Sequence, residues 1–138
     1  MKFVIDASVA VKWYVPEVFE KEAVSLLNNK NRFHVPELIF PEFCNVIWLK
    51  VRRGEITQAE GEIIVSELLQ RKWTIHSHKN IIEPAYAGAE SSGQTVYDWT
   101  YLALAVSLSC EMITADQKFY NALEKTPLKN NLKWLGDI

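Results

Sequence analysis

The sequence carries no excess of positive charge: 15 Lys and Arg stand against 17 Asp and Glu, a formal net charge of -2 over 138 residues. No global field announces a nucleic acid, so any polyanion has to be gripped locally. Cysteine is nearly absent. Cys44 and Cys110 lie far apart in apolar neighbourhoods, without CxxC or Cys/His ligand spacing, and read as buried thiols in a reducing compartment rather than as a disulfide or a zinc site. No run reaches the roughly 20 apolar residues of a membrane helix. The segment MKFVIDASVAVKWYV comes nearest to a signal sequence, but Asp6 and Lys12 interrupt it and no small-residue cleavage site follows. A cytoplasmic protein without membrane attachment is expected. His34, His76 and His78 fall in or beside predicted strands with no metal-ligand spacing, so structural or solvent roles are expected of them.

What the chain does have is hydrophobic content, at 49%, enough for residues 1–138 to fold as one domain around one core. Short apolar runs alternate with segments of helical period, the pattern of a parallel sheet covered by helices on both faces. Strands are predicted at Lys2–Asp6, Arg32–Val35, Trp73–His76, Glu111–Thr114 and Leu132–Trp134. Ser8 is the expected cap of a helix that Pro16 interrupts and that resumes over Glu20–Asn28. Pro36 and Pro41 bracket the start of a helix that ends near Arg53, before Gly54. Thr57 and Glu60 form a capping box opening the next helix, to about Arg71, so that the two make an αα-hairpin. Asn80–Ser91 is predicted helical despite Pro84, with Ser91, Ser92 and Gly93 as a flexible polar rim. Thr95 opens a strongly apolar helix, and a last one follows Asp116, with Phe119, Tyr120 and Leu123 facing inward.

Two acids stand out by position. Asp6 closes the first strand and Asp116 follows the fourth, at the carboxyl edge where open α/β sheets bind ligands. Asp98 and Glu42 lie in the first turns of helices that start near the same edge. Each has a plainer role available: Asp116 as an N-cap, Asp98 as partner of Thr95 in a capping box, Glu42 as a favourable charge at a helix start. Together they call for more, because like charges about 4 Å apart repel by roughly 4 kcal/mol at an effective dielectric near 20. Converging carboxylates need a cation, and oxygen ligands without His or Cys suit Mg²⁺ or Mn²⁺. Such an ion supports phosphodiester hydrolysis.

The stretches VIDASVAVKW, PEFCN, YDWTYLALA and TADQKF resemble, in order and spacing, the motifs of PIN-domain ribonucleases, in particular the toxins of VapBC toxin-antitoxin systems. The resemblance runs from Lys2 to about Leu123. It implies a three-layer α/β/α sandwich with a central parallel sheet, dependence on Mg²⁺ or Mn²⁺, and endonucleolytic cleavage of RNA. The family's metal-binding acids fall on Asp6, Glu42, Asp98 and Asp116; its supporting polar groups fall on Ser8, Asn45 and Thr114. Some relatives carry a further acid where this chain has Phe119, which removes a fifth ligand. The resemblance also implies a VapB-type antitoxin and a homodimer, for which Trp13, Trp48 and Trp99 offer apolar area. Lys12 is a candidate contact to substrate or partner, and Lys50, Arg52 and Arg53 form a basic helix end.

Other functions meet specific obstacles. A phosphoryl-accepting receiver domain needs an acidic pair after the first strand, an Asp after the third and a Lys after the fifth; here Asp6 stands alone, the third strand ends in IHSH, and only GDI closes the chain. A stand-alone PIN nuclease, or a catalytically silent module acting through its partner, remains the alternative.

Overall fold

The computed structural model describes residues 1–138. Five parallel strands, β1 (Lys2–Ile5), β2 (Arg32–Pro36), β3 (Thr74–His76), β4 (Glu111–Thr114) and β5 (Leu132–Trp134), form one sheet in the order β3-β2-β1-β4-β5. Seven helices flank it in an α/β/α arrangement: α1 (Ala7–Ala10), α2 (Glu20–Ser25), α3 (Ile39–Arg52), α4 (Gln58–Gln70), α5 (Ile82–Ser92), α6 (Val96–Ser107) and α7 (Gln117–Leu123). The chain leaves β1 toward β2 and β3, then returns to place β4 on the other side of β1. Strand order therefore reverses between β1 and β4, and a crevice opens beyond their carboxyl ends. Ile5 is level with Ile113, which sets Asp6 opposite Thr114.

Thirty-one buried apolar residues form one cluster. At its centre lies α6, where every residue from Trp99 to Ala105 is buried; a helix apolar all round is a core helix, which accounts for the run WTYLALA. Pro41 and Pro84 each occupy the third position of their helix, where no preceding turn supplies an acceptor for the missing N–H. Gly54, at φ 73°, ends the α3 region, and the Thr57–Glu60 capping box forms with both of its hydrogen bonds. Gly88 lets α5 press against α6: a Cβ there would stand 2.3 Å from the Trp99 ring.

Several expectations change. Asp6, not Ser8, caps α1, accepting from the Val9 backbone N–H at 3.1 Å, because a carboxylate at the strand end reaches the first free amides. The second helical segment closes at Ser25 rather than Asn28. Cys44 and Cys110 are free thiols, but half-buried rather than buried. Ser91 and Ser92 are the last turn of α5, not a flexible rim: Ser92 Oγ donates to the Gly88 carbonyl and accepts from Trp99 Nε1, both at 2.7 Å. Trp99 is buried, Trp13 half-buried, and only Trp48 is exposed, at 54%.

Candidate metal centre

Asp6 is the best-held of the four acids. Ser8 Oγ donates to its Oδ1 and Thr114 Oγ1 to its Oδ2, each at 2.6 Å, and the residue is only 6% exposed. Both hydroxyls are themselves fixed, Ser8 Oγ accepting from the Ala115 N–H at 3.1 Å and Thr114 Oγ1 from the Asp116 N–H at 3.0 Å. The capping role of Asp6 leaves Ser8 inside the first turn, its hydroxyl free to turn back onto the carboxylate. Burial pushes the Asp6 carboxyl up to about 6; the hydrogen bonds pull it down only in part, and the charge of Asp98 adds to the rise.

Glu42 points inward from the first turn of α3 and accepts from the Tyr101 hydroxyl at 3.1 Å. Burial lifts it to about 7, against the pull of Tyr101 and with the push of Asp6, Asp98 and Asp116. Asp98 rises as well, from burial first and then from Asp116. The plainer roles are filled in part: Thr95 caps α6, but the Asp98 carboxylate makes no reciprocal bond to the Thr95 N–H, so no capping box forms there. The Asp98 N–H donates to Thr95 Oγ1 at 3.1 Å, and Asp116 Oδ1 caps α7 by accepting from the Phe119 N–H at 3.1 Å, leaving its other oxygen free. Capping and ligation are compatible, since a carboxylate has acceptor sites for both.

The acids thus come from the ends of β1 and β4 and from the first turns of α3 and α6, close enough that their charges add to the rise of Asp6, Glu42 and Asp98, and none forms an ion pair with Lys or Arg. No three of them, as the side chains stand, fall within one ion's ligand sphere. The donor set is all carboxylate and hydroxyl oxygen, and its negative charge is met by no ion pair, only by the more distant charge of Lys118 on Asp98. Both properties fit a hard divalent ion.

Asn45 is exposed and makes no hydrogen bond to the acids. Phe119 is in the core, so its position offers no ligand. Lys12 pairs with Glu17 at 3.2 Å, Lys50 bridges Glu17 and Glu55, and Arg52 lies over Trp48 at 5.4 Å. The histidines have structural partners: His34 Nδ1 meets His76 Nε2 at 2.9 Å, and His78 Nε2 accepts from the Leu38 N–H at 2.9 Å. Tyr101 was hidden in the sequence by its apolar neighbours. Its signal was the spacing of three from Asp98, which puts both on one face of α6.

A model of the PIN domain family matches residues 3–124, and the chain belongs to that family. Ribonuclease VapC3 of Pyrobaculum aerophilum is 32% identical over 120 residues, 86% of this chain and 92% of that protein. The crystal structure of PAE2754 from the same organism superposes with a TM-score of 0.69 at 17% identity, covering 99% of this chain and 85% of that one. VapBC2 from Rickettsia felis, solved with a DNA fragment from its promoter, gives a TM-score of 0.65 at 12% identity and covers 97% of this chain and 98% of that one.

Proposed function

We propose that the protein is a divalent-metal-dependent endoribonuclease, a single PIN domain over residues 1–138 and the toxin of a VapBC-type pair, hydrolysing RNA phosphodiester bonds at the four-carboxylate crevice. One observation carries this: acids from four elements line the crevice where strand order reverses, Asp6, Glu42 and Asp98 with raised pKa values and none of the four in an ion pair with Lys or Arg. The relative at 32% identity, a named ribonuclease, supports the substrate.

Asp6, Glu42, Asp98 and Asp116 would hold Mg²⁺ or Mn²⁺, which supplies positive charge against the phosphate oxygens and acidifies a water. Ser8 and Thr114 lock Asp6 in one orientation, and Tyr101 does the same for Glu42. The half-buried walls limit water access and so strengthen the electrostatics inside. Asn45, exposed beside Glu42, is left for contact with the RNA strand. A VapB-type antitoxin is the proposed partner, and the groove between α3 and α4, walled by Ile47, Trp48, Val51 and Val65, suits an amphipathic segment. The pair, and a homodimer of the toxin, would act in the cytoplasm.

The test is RNA cleavage with Mg²⁺ or Mn²⁺ by wild-type protein and by Asp6→Asn and Asp98→Asn, purified identically to expose contaminating nuclease. Both variants should fold and lose cleavage. Undiminished cleavage would sink the site assignment. Calorimetric titration with Mn²⁺ separates an active site from a silent module, which binds none.

A further inference from the structure

A sizeable cavity lies away from the carboxylates. A recess of about 810 Å³ opens at the opposite edge of the sheet, where β2 and β3 begin, and its wall carries Arg32, Arg71 and Lys72. None of these cations forms an ion pair, although Glu67 lines the same recess. In a chain whose net charge is -2, three unpaired cations around one cavity are a local reversal of sign.

Arg71 is held in a particular way. Its guanidinium lies 4.7 Å from the Trp13 ring centroid and 5.4 Å from that of Tyr14, and its Nε donates to the Tyr14 hydroxyl at 2.9 Å. The shelf beneath is rigid: Trp13 stacks on Trp73 at 5.8 Å, and the indole N–H groups are tied to the Ala23 and Leu68 carbonyls. The Nη donors make no hydrogen bond within the protein. A planar fork fixed at its Nε, with its terminal donors free, is preorganised for a bidentate tetrahedral oxyanion. Arg32 and Lys72 are exposed and can close on the same group.

We propose that this recess is a phosphate-binding site, separate from the carboxylate crevice, which takes either a backbone phosphate of an RNA strand or the phosphate of a free nucleotide. The RNA source rests on the ribonuclease reading above; the phosphate chemistry does not. The two edges are separated by the length of β2, about 16 Å at roughly 3.3 Å per residue. A strand engaged at the carboxylates would have to extend several nucleotides along the protein to reach the recess. Acids at one edge and cations at the other would then set the direction in which a long RNA lies.

The experiment measures anisotropy of a labelled single-stranded oligoribonucleotide in EDTA, over a salt series, with wild-type protein, the double variant Arg32→Gln with Lys72→Gln, and Arg71→Lys. Expected are affinity about tenfold weaker and a shallower salt slope, by about one, for the double variant. Arg71→Lys, which keeps the charge and loses the fork, should also weaken binding. A parallel arm titrates AMP and inorganic phosphate. Loss of AMP or phosphate binding in the variants with RNA affinity unchanged assigns the recess to free phosphoanions and keeps the proposal. Unchanged binding of RNA, AMP and phosphate overturns it. Cleavage of an oligoribonucleotide too short to span both edges stays at the wild-type rate if the ribonuclease reading is right; its absence in wild type would count against that reading alone.

Discussion

The Tyr101 hydroxyl donates to Glu42 Oε1 at 3.1 Å, across 59 residues of sequence and between the helices that bear Asp98 and Glu42. Burial and the neighbouring carboxylates push the Tyr101 phenol far up, so it is a donor at every working pH. Tyr101→Phe removes the only hydrogen bond to the Glu42 carboxylate and a force that holds its pKa down. Weaker metal binding and cleavage lowered roughly tenfold are expected, in line with loss of a group that orients a ligand. Mn²⁺ titration and single-turnover rates check both, and an unchanged Mn²⁺ affinity would remove Tyr101 from the site.

Thr114→Val keeps the shape of a fully buried residue, deletes a donor to Asp6 and leaves the Asp116 N–H without its acceptor. A hydrogen bond to a charged group is worth about 1.5–3 kcal/mol, so melting should fall and metal affinity drop by at least roughly tenfold. Ser8→Ala should act in the same direction. Equal Mn²⁺ affinities for wild type and Thr114→Val would count against the bracing of Asp6.

Acidity gives a sign that can be checked. Asp6 rises from 3.8 to about 6 and Glu42 from 4.5 to about 7, so in those windows the folded protein keeps protons that the unfolded chain has released. Without metal, their contribution to stability is full below the lower value and is lost as pH rises through the upper one. For Asp6 the loss is about 3 kcal/mol at most. Mn²⁺ should therefore raise the melting temperature more at pH 8 than at pH 5. A shift independent of pH would contradict the coupling.

The His34–His76 contact has the opposite sign. Burial lowers the His34 pKa, and His76 and Lys2 add to this, so its contribution is complete above about 6.5 and fades as pH falls below it. Protection factors of the β3 amides in metal-free protein, corrected for the intrinsic pH dependence of exchange, should fall below that value, and His34→Gln should flatten the response.

Glycine in a helix is usually improved by alanine, by about 0.5–1 kcal/mol. At Gly88 the sign reverses, because the new Cβ would meet the Trp99 ring at 2.3 Å and overpacking costs about 1–3 kcal/mol. Displacing Trp99 also moves its neighbour Asp98. Gly88→Ala is expected to melt earlier and to cleave more slowly; a more stable variant would show that α5 yields instead.

Much of this was legible in the chain itself. Alternation of apolar runs located all five strands to within two residues, and the Thr57–Glu60 box and Gly54 marked the α3–α4 connection, because strand periodicity and cap chemistry are local. The acids were nominated by topology for Asp6 and Asp116, and by motif resemblance for Glu42 and Asp98. What remained hidden depends on which groups meet. A hydroxyl in the first turn of α1 reads as a cap until the carboxylate before it is seen to take that role, which leaves Ser8 to brace Asp6. Tyr101 sits in WTYLALA like any core aromatic, and only packing of α6 beside α3 turns its hydroxyl to Glu42. The pairing of Lys12 and Lys50 with Glu17, and the shelf of Trp13 and Tyr14 under Arg71, join residues with no common pattern in sequence. Local propensity thus determined the elements and the acids at their ends. Long-range contact alone decided which polar groups hold those acids in place and which cations were left unpaired.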